Sequence, residues 1–236
     1  MGTFVLVHGG WRGGWCYSRV ARLLRDAGHD VFTPTLTGLG ERSHLMGLNI
    51  NLSTHVTDIA NVLHWEDLDD VVLCGHSYGG MVVTGVAGQM GDRIRSLFYL
   101  DAFVPAAGQS LFDLLPAAYR EPMIAAARDN QGRSPTFPPE FFGTAPEHHA
   151  LVERNSTDHP LDCYIEGIRL GDKLDMVTRR TFVMSTRFPG SVYQQFYDLY
   201  KVAAGWRTTT IESGHDIMID EPESLRELLI DELARD

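Results

Sequence analysis

Cysteine is scarce in this chain: Cys16, Cys74 and Cys163 are the three among 236 residues, odd in number, far apart and without a Cys-x-x-Cys pair. That spacing excludes a disulfide framework and offers no zinc site, so all three read as free thiols. Basic charge is short as well, with 20 Lys and Arg against 31 Asp and Glu and a formal net charge of -11. Nucleic acid or an anionic membrane surface would need a concentrated basic face, so neither is an expected partner. No stretch approaches the roughly 20 apolar residues that span a bilayer. Nor does a basic region precede the first apolar run, Thr3–Val7, as a secretory signal would require. Met1-Gly2 begins like a myristoylation signal, but Leu6 stands where Ser or Thr is needed. A cytoplasmic location is expected. Ten histidines are present, yet no His-x-x-x-His pair lies on a periodic helix beside a carboxylate, so no metal is expected, and the adjacent His148 and His149 read as exposed.

What is present is an alternation of short apolar runs, bounded by Gly, Pro and Asp, with segments of helical period. This is the pattern of an α/β fold with a mostly parallel sheet of about six strands flanked by helices. Strands are expected at Phe4–His8, Val31–Leu36, Val71–Gly75, Ser96–Leu100, Thr181–Ser185 and Arg207–Ile211. Helices are expected at about Trp15–Ala27, from a Ser53 or Thr54 cap to Trp65, at Gly79–Met90, and at Pro222–Ala234. About eighty residues separate the fourth strand from the fifth, too many for an ordinary crossover. Helical pieces at Leu111–Asp129, Glu147–Arg154 and Asp162–Leu170 suggest a small helical cap. The expected division is a core of residues 1–103 and 179–236 with a cap of residues 104–178 over the carboxyl edge of the sheet, where open α/β sheets bind their ligands.

Gly75-His76-Ser77-Tyr78-Gly79-Gly80 closes the third strand and opens a helix. In that context a Gly-x-Ser-x-Gly motif makes a sharp turn that exposes the serine hydroxyl in a strained backbone conformation. His8-Gly9-Gly10 ends the first strand, where the Gly10 N–H can face a developing oxyanion together with the Tyr78 N–H. His215, in Glu212-Ser213-Gly214-His215-Asp216, follows the last strand. An imidazole there can take the serine proton and return it to a leaving group.

Phe-Val-Leu-Val-His-Gly-Gly-Trp, Gly-His-Ser-Tyr-Gly-Gly-Met and Ser-Gly-His-Asp resemble the α/β-hydrolase superfamily over almost the full chain. The nearest likeness is to small esterases that group with plant methylesterases and hydroxynitrile lyases. Thr33-Pro34-Thr35-Leu36-Thr37-Gly38-Leu39-Gly40-Glu41-Arg42-Ser43-His44 is similar to a bacterial branch that includes some carbamate hydrolases. The chain departs from the methylesterase-like pattern in its acid: the loop Ser185-Thr186-Arg187-Phe188-Pro189-Gly190 carries no carboxylate. Hydrolases of this fold also place the acid one strand earlier, where Asp101 stands, and Ser77, Asp101, His215 keeps the chain order of the fold. Asp216, Glu212, Asp198 and an acid-free dyad remain rivals.

The resemblance implies a cofactor-free serine hydrolase acting on a small-molecule substrate. A carboxylic ester is the first choice, with carbamate, lactone or amide as alternatives. In the related lyases a lysine follows the histidine; here Asp216 does, which disfavours lyase chemistry, while a ligand receptor on the same scaffold is a third class. Trp11, Cys16, Phe103 and Phe188 are the expected pocket residues, and Phe112, Phe137, Phe141 and Phe142 belong either to the pocket or to the core of the cap.

Overall fold

Successive side chains of a strand point to opposite faces of its sheet, and in the central strands of this chain both sets are apolar. The computed structural model describes residues 1–47, 49–188 and 191–235. Leu48, Pro189 and Gly190, which belong to loops expected after the second and fifth strands, and Asp236 lie outside the described residues. β1 (Thr3–Val7) is followed by α1 (Ser18–Asp26), β2 (Asp30–Phe32), α2 (Leu52–Trp65), β3 (Val71–His76), α3 (Gly79–Met90) and β4 (Ile94–Leu100). The chain then leaves the sheet for α4 (Leu111–Leu114), α5 (Ala117–Asp129), β5 (Arg133–Ser134), α6 (His149–Asn155), β6 (His159–Pro160) and α7 (Asp162–Ile165). It returns through β7 (Arg180–Ser185), α8 (Gln194–Tyr200) and β8 (Trp206–Ile211), and closes with α9 (Ile217–Asp220) and α10 (Pro222–Ala234).

The main sheet has six parallel strands in the order β2-β1-β3-β4-β7-β8. Alternate residues of its strands build two cores. Val5, Val7, Leu73, Leu97, Tyr99 and Phe182 pack toward α2 and α3. Phe4, Leu6, Val72, Cys74, Phe98 and Val183 pack toward α1 and α10. Both faces of the sheet are covered, which is why β3 is buried at every position and reads as an unbroken apolar run. The strand order reverses between β1 and β3, so the loops after these two strands diverge and leave a crevice at their carboxyl ends.

Several expected elements are shorter or differently built. β2 stops at Phe32 rather than Leu36: Pro34 has no N–H for a ladder, and the Leu36 N–H is taken by His8 Nε2 at 3.0 Å. The expected helix over 111–129 breaks before Pro116 into α4 and α5, because a proline biases the residue before it away from helix. The piece expected at Asp162–Leu170 ends at Ile165. The α2 cap is Asn51 instead of Ser53 or Thr54: its side chain accepts the Thr54 N–H at 3.1 Å, while Thr54 Oγ1 accepts the Asn51 N–H. The segment expected to be a helical cap also holds a two-residue antiparallel ladder, β5 with β6. No helix among the described residues is long and apolar enough to cross a membrane.

Candidate active site

The loops after β1, β3, β4 and β8 bring the sequence motifs to one end of the sheet. Ser77 follows β3 with φ 54°, Asp101 follows β4 with φ 44°, and Trp11 lies in the loop after β1 with φ 61°. Left-handed backbone at a non-glycine residue costs about 1–3 kcal/mol and persists only where surrounding contacts hold it. Here the Leu100 carbonyl accepts the Ser77 N–H, the Ser77 carbonyl accepts those of Gly80 and Phe103, and the Val183 carbonyl accepts that of Asp101. The turn also needs residues without side chains. A Cβ at Gly79 would stand 2.8 Å from the Val7 and His8 carbonyl oxygens, and one at Gly80 would stand 2.1 Å from that of Phe103.

His215 is buried, and its Nδ1 lies 2.7 Å from Asp101 Oδ2. Asp101 also accepts the Ser185 N–H at 3.0 Å and the Ser185 hydroxyl at 2.7 Å. A carboxylate held in this way accepts the Nδ1 proton and leaves Nε2 free to take another. The imidazole lies between rings, with centroids at 5.1 Å from Tyr193, 4.9 Å from Phe188 and 5.7 Å from Phe142. Ser77 and His215 line the same cavity. The Ser77 Oγ hydrogen bond runs to the Tyr193 hydroxyl at 3.0 Å, and among the described residues none joins Ser77 to His215. A rotation about the serine χ1 is what separates the two arrangements.

His8 aims the loop after β1. Its Nε2 accepts from Leu36, so the ring proton is on Nδ1 and is donated to the Gly9 carbonyl at 2.8 Å. The Gly9–Gly10 peptide is planar and trans, so fixing that carbonyl sends the Gly10 N–H in the opposite direction. Gly10 and Tyr78 both line the cavity, and among the described residues neither N–H has a hydrogen-bond acceptor. Burial lowers the His8 pKa to about 3, which keeps the ring in the neutral form this geometry requires.

Two ties between the loops escaped sequence reasoning. His76, the variable residue before the motif serine, donates from Nε2 to the His215 carbonyl at 2.9 Å. Arg12 makes a two-pronged contact with Asp216 (3.1 and 2.8 Å), and Thr144 donates to the same carboxylate at 2.8 Å. Burial alone would raise the Asp216 pKa, but the Arg12 guanidinium and its hydrogen bonds hold it well below the usual carboxylate range. Asp216 is therefore turned from its neighbour His215 and neutralised by Arg12. The available signal was one charged residue beside each motif, Arg12 after Gly10 and Asp216 after His215.

The cavity encloses about 580 Å³ including its mouth, and its lining contains no Lys, Arg, Asp or Glu among the described residues. Trp11, Phe103 and Phe188 line it, with Phe137, Phe141 and Phe142. Cys16 does not: it is buried with Tyr17 and Val20 in the core on the α1 face, where burial raises its pKa. Phe112 packs on Tyr164 behind the lining, at 5.8 Å between centroids. Tyr119, Met123, Tyr164, Val192 and Tyr193 join the lining without having been singled out, since no motif marks them. His148 and His149, expected to be exposed, are partly buried and bond Asp220 and the Thr144 carbonyl. Behind Tyr78 the ligand atoms of buried His55, His159 and Cys163 come within 4.8 Å of one another. Of these, His55 Nδ1 accepts the Tyr78 hydroxyl at 2.9 Å and its Nε2 donates to the Thr37 carbonyl.

Residues 4–228 match the model of the alpha/beta hydrolase family. The chain belongs to that family. Among curated relatives of this hydrolase is a carbendazim hydrolyzing esterase of Nocardioides sp. (strain SG-4G), 42% identical over 97% of this chain and 98% of that protein. Methylesterase 1 of Arabidopsis thaliana is 29% identical over 59% of this chain and 57% of its own. Among solved structures, an extracellular alpha/beta-hydrolase from a Paenibacillus species, described as sharing homology with tobacco salicylic acid binding protein 2, superposes with a TM-score of 0.85. It covers 98% of both chains at 24% identity, a likeness of fold. The hydrolase thus shares its architecture with enzymes whose names are those of esterases.

Proposed function

We propose that this hydrolase cleaves a small, neutral, apolar or aromatic carboxylic ester through an acyl-enzyme on Ser77. The observation that carries the reading is the buried 2.7 Å contact of His215 Nδ1 with Asp101, opening on the cavity that Ser77 also lines. The Ser77 hydroxyl turns to His215 Nε2, which takes its proton as Oγ attacks the acyl carbon. The Gly10 and Tyr78 N–H groups receive the oxyanion, a donor pair in which each member is worth about 3–4 kcal/mol of transition-state stabilisation. Asp101 holds the tautomer and stabilises the imidazolium, His215 protonates the leaving alcohol, and the same steps with water release the acid. The reaction calls on no cofactor. In this reading residues 104–178 act as the cap, which supplies Tyr119, Phe137, Phe141, Phe142 and Tyr164 to the aromatic wall.

An uncharged lining favours a neutral substrate, because a carboxylate or ammonium would lose its hydration without gaining a partner. Among the described residues the same lining has no Lys or Arg to hold a leaving anion, which argues against lyase chemistry more directly than the charge of Asp216, now paired with Arg12. A second reading of the substrate, carbendazim or a compound like it, is favoured by the 42% identity to the carbendazim hydrolyzing esterase along nearly the whole chain. Short-chain p-nitrophenyl esters, methyl esters, carbamates and carbendazim, assayed in parallel, test both readings. The expected result is a burst of p-nitrophenol followed by steady turnover, abolished in Ser77→Ala. A single turnover or none rejects steady hydrolysis and leaves a receptor, and activity that survives Ser77→Ala rejects the acyl-enzyme on Ser77 and leaves another nucleophile.

A further inference from the structure

Tyr193 is a residue that no motif marks, yet its hydroxyl is 3.0 Å from the nucleophile oxygen. The side chain is buried, and its ring is fixed on two sides. It lies parallel to the His215 imidazole, with centroids 5.1 Å apart and an interplanar angle of 9°, and it takes an edge contact from Phe103 at 5.1 Å. Its backbone N–H is held by Ser191 Oγ at 3.2 Å. The hydroxyl is thus kept beside the atom that attacks, on a ring stacked against the base that must later deliver a proton to the departing group.

We infer that Tyr193 is a further catalytic residue, which holds the Ser77 hydroxyl in the resting enzyme and donates its hydrogen bond to the leaving-group oxygen once Ser77 Oγ has bonded to the acyl carbon. The inference rests on the esterase reading above. In the attack, the Ser77 proton goes to His215 Nε2, the Oγ–C bond forms and the carbonyl π pair becomes the oxyanion. Oγ has exchanged its hydroxyl proton for the bond to carbon, so it can no longer donate to Tyr193 and accepts less well, just when a second oxygen arrives beside it. In the collapse the oxyanion pair returns to the carbonyl, the bond from carbon to the leaving oxygen breaks, and that oxygen takes the proton from His215. Tyr193 keeps its own proton throughout. Burial and the nearby Asp101 charge raise its pKa, so it acts as a donor and not as an acid.

A donor aimed at an oxygen that is gaining charge counts most when the leaving group is poor. The test is kcat/KM for Tyr193→Phe over acetate esters that share one acyl group and run from p-nitrophenol through phenol to benzyl alcohol. The phenylalanine ring preserves the stack on His215, and unchanged circular dichroism and melting confirm the fold. The expected loss is about tenfold or more for benzyl acetate, the equivalent of about 1.4 kcal/mol, and below about threefold for p-nitrophenyl acetate. An equal loss along the series, no loss, or a larger loss with p-nitrophenyl overturns the inference; an equal loss leaves Tyr193 only positioning Ser77. As an independent measurement, 3,5-difluorotyrosine at position 193 is a stronger donor and is expected to flatten the dependence on leaving-group pKa, and an unchanged slope counts against the inference. A wild-type enzyme idle on every ester fails the esterase reading itself, which is a different result.

Discussion

Asp101 carries three hydrogen bonds on one carboxylate, from His215 Nδ1, the Ser185 N–H and the Ser185 hydroxyl. An asparagine at this position would fit the space but turn an NH₂ toward Nδ1 or toward Ser185. With the NH₂ toward Nδ1, which keeps the amide oxygen on the Ser185 N–H, the imidazole would carry its proton on Nε2, where it cannot accept one from serine. Asp101→Asn is therefore expected to lower kcat on an aryl ester by about 10⁴-fold while the melting temperature stays close to that of the parent. Near-normal turnover would hand the role to another group. The rivals named from the sequence are badly placed for it: Glu212 is exposed and paired with Arg187, and Asp198 with Lys201.

At the scale of elements, the site is a set of loops tied to one another. Arg12 after β1 and Asp216 after β8 form an ion pair with side chains 2% and 1% exposed, and Arg12 also donates to Ser156 before β6 at 2.9 Å. Breaking one half of a buried pair leaves an uncompensated charge, at a cost of about 3–5 kcal/mol, whereas replacing both halves by apolar side chains is often close to neutral. Arg12→Met is thus expected to lower the urea midpoint strongly, and Arg12→Met with Asp216→Leu to recover most of the loss. If the double variant is no more stable than the single one, the pair is not what joins these loops.

The whole molecule holds four fully buried histidines in the neutral state: His8, His55, His76 and His159. Burial lowers His8 to about 3 and His55 to about 4, and holds His76 and His159 well below the usual value. The unfolded chain binds protons at these rings near pH 6.5 and the folded chain does not. Stability is therefore complete above that pH and falls as pH drops below it, by about 1.4 kcal/mol per ring per pH unit. Asp216 has the opposite bookkeeping: its folded pKa is depressed, so its contribution persists down to about pH 4, where the unfolded carboxylate begins to protonate. Denaturant titrations should therefore show a loss of about 5 kcal/mol between pH 7.5 and pH 5.5. A midpoint that does not move over this range would mean that the rings take up protons in the folded state.

Local sequence alone determined the order of strands and helices, the turn at Ser77 and the loops that carry Gly10, Asp101 and His215, because periodicity, proline and glycine act within a few residues of themselves. It also limited the acid to a few carboxylates. Tertiary structure decided the rest. Asp101 meets His215 beside the neighbouring strand β7, whose Ser185 holds its carboxylate, and Cys16 was sent to the far core by the face of the helix entry on which it stands. Tyr193, Tyr164, His76 and the Arg12–Asp216 pair meet the motifs only across the sheet, over separations of up to 204 positions, and no periodicity in the chain encodes a contact that depends on how the loops close over one another.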